Sequence, residues 1–345
     1  MPASPLNLGL IGAGRIGHLH AANLARHVPR ARLLTVADPV EVAARDCAER
    51  FGIPRAVSDE QALLDDPAID AVLVCSSTDT HARLIEAAAA AGKYVFCEKP
   101  IALSLPTIDR ALAAVDRAGV KLQIGFNRRF DANYRRVRQA IERGEIGQPW
   151  LLRITSRDPA PPPIDYIKVS GGLFLDMTIH DFDMARFLID ADVEEVYATA
   201  GVLVDDAIGA AGDVDTAIVV LRFANGVIGT IDNSRQAVYG YDQRVEVLGS
   251  GGAIDTANNY PNAATLSDRH GVRRDLPLNF FLERYAESYR AELTAFVDAV
   301  LDDTPTLVTG HDGRVPVAIA LAAATSHREH RPVRVADVEP GSSTR

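Results

Sequence analysis

Through residue 125 the chain alternates two textures. Short apolar runs of strand length stand between longer stretches whose apolar positions recur at helical spacing. Leu6–Ile11, Arg32–Ala37, Ala71–Cys75, Tyr94–Cys97 and Leu122–Gly125 read as strands. Ile16–Arg26, Val40–Phe51, His81–Ala91 and Leu105–Arg117 read as the helices between them. Strict alternation predicts a parallel sheet with helices on both faces, and right-handed crossovers make it doubly wound. Residues 1–125 are therefore expected to form one α/β domain.

Past residue 126 the pattern changes. A basic helix, Tyr134–Arg143, leads to a strand-like run, Trp150–Ser156. Three consecutive prolines keep Asp158–Asp165 irregular, because they remove donors and fix φ. Gly171 and Gly172 precede a helix expected over Leu173–Leu188. Strands follow at Glu195–Val204, Thr216–Phe223, Val227–Ser234 and Arg244–Gly249, with Asn225-Gly226 as a hairpin turn. Helices close the pattern at Tyr285–Leu301 and Val315–Thr325. Residues 126–336 thus read as a second, α+β domain with a large, mostly antiparallel open sheet, its last helices able to pack back on the first domain. Residues 337–345 read as a polar tail. Thr216–Phe223 is apolar at both parities, which predicts cover on both faces, by helices or by a second subunit.

The remaining bulk properties narrow the class. The 345 residues are 47% hydrophobic and 24% charged, as in an ordinary globular protein. A net charge of -10 argues against nucleic-acid binding. No apolar run approaches the roughly 18 residues that span a bilayer. No basic n-region opens the chain, so no signal peptide is expected. Cys47, Cys75 and Cys97 lack metal-ligand spacing; they read as small buried hydrophobes, reduced as in a cytoplasm.

Chemistry enters at the first turn. Gly12-x-Gly14-x-x-Gly17 lies between a strand and a helix, where a glycine loop can cradle a pyrophosphate and make a Rossmann dinucleotide site. Arg15 and Ile16 complete the loop and count as cofactor contacts. Asp38 ends the second strand, where an acid takes the ribose hydroxyls of NAD and repels a 2′-phosphate; a cap or turn aspartate is the other reading. Ser76, Thr78 and His81 follow the third strand and face the ligand crevice, with a helix cap by Thr78 or Asp79 as the alternative. The fourth strand ends in Glu98-Lys99-Pro100, also at the crevice. Asp176 and His180 are four apart, on one face of the expected helix. They suit a base with its companion, a plain helix-surface contact, or part of a metal site that lacks a second histidine. No metal is expected.

The motifs GAGRIG, EKP, GFNRRFD and GGLFLDMTIHDFDMARF resemble those of the Gfo/Idh/MocA family of NAD(P)-dependent oxidoreductases. The resemblance spans most of the chain and keeps the motif order. It implies a Rossmann domain followed by an α/β domain with an open sheet, in tetramers. It implies that Lys99, Asp176 and His180 are the catalytic set. It also implies that Asn127, Arg129, Asp158 and Tyr239 or Tyr241 surround a cyclic polyol. The likeness of GFNRRFD and SRDPAPPPIDYIKVSGG extends to members acting on myo-inositol. Scyllo-inositol, D-chiro-inositol or an aldose are alternatives with the same chemistry. A non-catalytic NAD sensor is the alternative from another class. The arginines of FNRRFD have a second reading as solvated or inter-subunit pairs.

Overall fold

The computed structural model describes residues 4–339. They pack as two compact units. One is the chain up to Asn127 together with Glu287–Val317; the other is Arg128–Ala286 together with the chain from Ala318.

The first unit holds β1 (Leu6–Ile11), β2 (Ala31–Ala37), β3 (Arg55–Val57), β4 (Ala71–Val74), β5 (Tyr94–Glu98) and β6 (Leu122–Gly125). Their order is β3-β2-β1-β4-β5-β6, all parallel. β4 is buried at every position, as a strand covered on both faces must be. The sequence reading gave five strands. It missed β3, whose three residues at the sheet edge are too few to show a period. The helix Ala286–Leu301 inserts Leu293, Phe296 and Val297 among Leu8, Leu10, Leu73 and Phe96. One core thus joins segments far apart in sequence.

The second unit holds β7 (Pro149–Arg157), β8 (Val193–Gly201), β9 (Thr216–Phe223), β10 (Ile228–Ser234), β11 (Asp242–Gly249), β12 (Gly252–Asp255) and β15 (Val333–Arg334). They form one sheet in the order β12-β11-β7-β10-β9-β8-β15. Only the β10–β7 pairing is parallel. β13 (Thr265–Asp268) and β14 (Gly271–Arg274) make a separate exposed hairpin. The β9–β10 turn forms as expected, with Gly226 at φ 86° and the Asn225 side chain accepting the Val227 N–H.

Two expectations need correction. The helix expected over Leu173–Leu188 is two helices, Gly172–Asp176 and Ile179–Ile189. The N–H groups of Met177 and Thr178 both point at the Leu173 carbonyl, at 3.0 Å each, and this wide turn ends the first helix. The proline loop yields to a helix two residues early, at Ile164–Ser170. The chain itself covers one face of β9, burying Ala217, Val219, Leu221 and Phe223, and Ile218 and Val220 on the other face are exposed.

Candidate active site

Each glycine of the first turn has its own reason. Gly12 adopts φ +100°, and a Cβ there would lie 2.6 Å from the Cys75 carbonyl and the Ser76 nitrogen. A Cβ on Gly17 would collide with the Gly12 carbonyl, so helix and loop can approach this closely only without one. Gly14 faces open space within 4 Å. It precedes the helix Arg15–His27 and carries no side chain that could cap it. A helix N-terminus over open space fits a dinucleotide pyrophosphate. The Asp38 carboxylate accepts the Ala13 N–H at 2.8 Å and the Val40 N–H at 2.9 Å. It therefore ties the end of β2 to the glycine loop while remaining half-buried, where a ribose can reach it.

Beyond β4 the candidates separate. Ser76 Oγ lies 2.6 Å from the Thr80 hydroxyl. Thr78 opens the helix Thr78–Ala90, whose cap position is Ser77; no side chain caps it, so neither Thr78 nor Asp79 serves as a cap. His81 is 2% exposed, with Nδ1 2.8 Å from the Pro100 carbonyl and Nε2 3.1 Å from that of Ser76. Burial lowers its pKa. It fastens the end of β4 to the residue after Lys99, from the interior.

Glu98 and Lys99 part company at the end of β5. The Glu98 carboxylate meets His20 Nε2 at 2.6 Å. Gly125 leaves the room: a Cβ there would be 3.1 Å from that carboxylate. Glu292 lies close by, fully buried, its oxygens without a hydrogen-bond partner. Burial first, and Glu98 second, push its pKa well up. His20, Glu98 and Glu292 are the group with metal-like spacing among the described residues, their donor atoms within 4.8 Å of one another. Sequence reading missed His20 and Glu292; single polar residues on apolar helices carry no pattern. Lys99 is half-buried, and its peptide bond to Pro100 is cis.

In the second unit, Asp176 ends the helix Gly172–Asp176 and His180 is the second residue of the next, Ile179–Ile189. Plain four-residue helical spacing therefore does not relate them. The Tyr166 hydroxyl donates to Asp176 at 2.8 Å. Two adjacent arginines secure the His180 helix. Arg128 reaches Asp181 at 2.6 Å, and Arg129 reaches Asp183 through three bonds of 2.6–3.0 Å. Both carboxylates are fully buried. Asn233 donates to the second Asp181 oxygen at 2.8 Å and accepts from Thr178 at 2.6 Å. Arg128 and Arg129 thus each clamp a carboxylate of this helix within the chain.

The polyol candidates scatter. Asp158 is half-buried near Arg235, Asp176 and Arg128; desolvation pushes it up to about 6, against the pull of Arg235. Tyr241 is buried on the same side, edge-on to Tyr285. Tyr239 turns elsewhere and donates to Asp242 at 2.6 Å. Asn127, in the first unit, is 2% exposed and its side-chain nitrogen has no hydrogen-bond partner among the described residues.

Comparison with known proteins places this geometry. Residues 6–126 match the model of the oxidoreductase family, NAD-binding Rossmann fold, and residues 134–255 match the GFO/IDH/MocA C-terminal domain. The chain is 52% identical over 333 residues to myo-inositol 2-dehydrogenase of Thermotoga maritima, covering 96% of this chain and 99% of the relative. It is 46% identical over 332 residues to inositol 2-dehydrogenase of Rhizobium meliloti, covering 96% and 99%. A solved scyllo-inositol dehydrogenase from Lactobacillus casei, with bound NAD(H) and scyllo-inositol, superposes with a TM-score of 0.91 at 30% identity, covering 96% of this chain and 100% of that one.

Proposed function

Because the chain belongs to the Gfo/Idh/MocA family of NAD-binding oxidoreductases, we propose that it oxidises myo-inositol at one ring hydroxyl to 2-keto-myo-inositol (scyllo-inosose). Near full-length likeness to inositol dehydrogenases carries the reading. NAD, when bound, accepts the hydride from the carbinol carbon. The glycine loop and Asp38 hold the cofactor and select it over its 2′-phosphorylated form. His180 takes the hydroxyl proton. Asp176 orients the imidazole and balances its cation. The Lys99 ammonium offsets the charge growing on the alkoxide oxygen, a role worth several kcal/mol in comparable sites. Asp158, Asn127 and Tyr241 offer acceptors and donors to the other hydroxyls. The enzyme works as a tetramer in the cytoplasm, copies of the chain covering the exposed sheet face; the three free cysteines are buried.

A second substrate has its own support. Scyllo-inositol 2-dehydrogenase (NAD(+)) of Bacillus subtilis is a relative, and a few hydroxyl contacts separate the isomers. The deciding experiment is NADH formation at 340 nm with NAD or NADP and each of myo-inositol, scyllo-inositol, D-chiro-inositol and D-glucose. The highest kcat/KM is expected for myo-inositol with NAD. A higher value for another polyol would move the substrate and keep the chemistry, and no turnover at all would remove both.

A further inference from the structure

We propose that Arg235, anchored through Asp213, is the positioning residue for Asp176. The inference rests on the reading of Asp176 as a member of the catalytic set.

Asp176 sits on weak support. Its helix has five residues, too short to be rigid alone. Gly171 and Gly172 enter it with φ of 88° and 82°. The wide turn at Met177–Thr178 then ends it. Such a helix needs side chains to hold it.

Arg235 supplies the hold at both ends. It directly follows β10, and its backbone N–H donates to the Asp215 carbonyl at 2.8 Å. Asp215 is itself fixed, its carboxylate accepting the N–H groups of Leu203, Val204 and Asp205. The Arg235 side chain is 1% exposed. One Nη is 3.4 Å from Asp176 Oδ2, and the other 3.5 Å from Asp213 Oδ2. The second Asp213 oxygen accepts the Leu173 N–H at 2.9 Å, in the first turn of the same helix. One buried cation therefore joins the start of the helix, through Asp213, to the carboxylate at its end. Tyr166 holds the other Asp176 oxygen.

The chemistry explains why a cation stands here. Asp158, Asp176 and Asp213 surround this guanidinium, and Arg128 is the next positive group acting on Asp158. The long contacts leave the charge shared rather than consumed by a single partner. Removing it leaves carboxylates facing one another without compensation.

The test compares R235Q, R235K, D213N and D176N in the full-length enzyme. Readouts are NAD affinity, melting temperature, and kcat and KM across pH. R235Q is expected to lower kcat about 100-fold with NAD affinity unchanged. Its acid limb moves to higher pH, because Asp158 and Asp176 lose a neighbouring cation. R235K recovers about tenfold of that loss, and D213N, which keeps the cation, loses about tenfold. A folded R235Q with wild-type kcat overturns the inference. So does an equal loss at all pH without rescue by lysine, the mark of a merely structural role. Should R235Q fail to fold, wild-type kcat in D213N overturns it instead. Wild-type turnover in D176N would remove the catalytic reading itself, whereas an inactive D176N beside an active R235Q removes this inference alone.

Discussion

Glu98 and Lys99 are neighbours in sequence and strangers in role. One turns inward to His20 beside the buried Glu292, while the other stays half-exposed at the end of β5. Asp158 is the residue whose setting makes the clearest prediction. Its carboxyl is pushed up to about 6 by desolvation. The folded state then holds a proton that the unfolded chain has released, so this group's stabilisation is full below the ordinary carboxylate range. It fades as pH rises through about 6. Between pH 5 and pH 7 the loss is about 1 kcal/mol, and Asp158→Asn abolishes it. Urea titrations of both proteins at the two pH values check this; parallel changes in the two would contradict it. The residues that sequence reading found here, Gly12, Gly14, Gly17 and Asp38, were legible because loop spacing alone encodes them. His20, Glu292 and Arg235 were not, because what defines them is burial.

At the scale of elements, packing overrules local preference. The helix Gly310–Glu329 contains glycines and Pro316, and sequence reading began it only at Val315. It starts earlier because Thr309 and Asp312 cap it reciprocally, with the Thr309 N–H and hydroxyl both reaching the Asp312 carboxylate at 2.9 and 2.8 Å. Gly313 lets it lie against β6: a Cβ would be 2.7 Å from Ile101 and 2.9 Å from Ile124. Propensity alone predicts that Gly313→Ala stabilises by about 1 kcal/mol. The contacts predict the opposite, a loss of about 1–3 kcal/mol from overpacking. The sign of the change in chemical denaturation decides between them. The arginine clamp gives a second prediction. Arg129→Ala leaves Asp183 buried without this partner and should cost about 3–5 kcal/mol, with a lowered melting temperature. The polyol-contact reading of Arg129 predicts a raised KM at unchanged stability instead, so one variant measured both ways separates the two.

At the scale of the molecule, an open sheet leaves a face to cover. Tyr197, Val220, Ile218, Ile228, Leu151 and Leu248 are exposed on five adjacent strands, brought side by side by the cross-strand register. A monomer rarely leaves such a patch bare. Ile218→Lys with Val220→Lys is expected to reduce the mass seen by light scattering from an oligomer toward a single chain. An unchanged mass would place the interface elsewhere. Phe296→Ala tests the opposite case, a residue already covered within the chain: fully buried in the core of the first unit, it should cost about 3–5 kcal/mol.

The sequence by itself determined the alternation of strand and helix, the glycine loop, the acid after β2 and the order of the motifs. Each of these is a local period or spacing, which physics reads over a few residues. Only the tertiary structure decided that Glu287–Val317 belongs with the first unit, that Arg128 and Arg129 grip Asp181 and Asp183, and that Asp176 and His180 lie on different helices. Those outcomes depend on which buried charges find partners and which side chains leave room for one another. Such terms are set by segments distant in the chain, and no short window of sequence contains them.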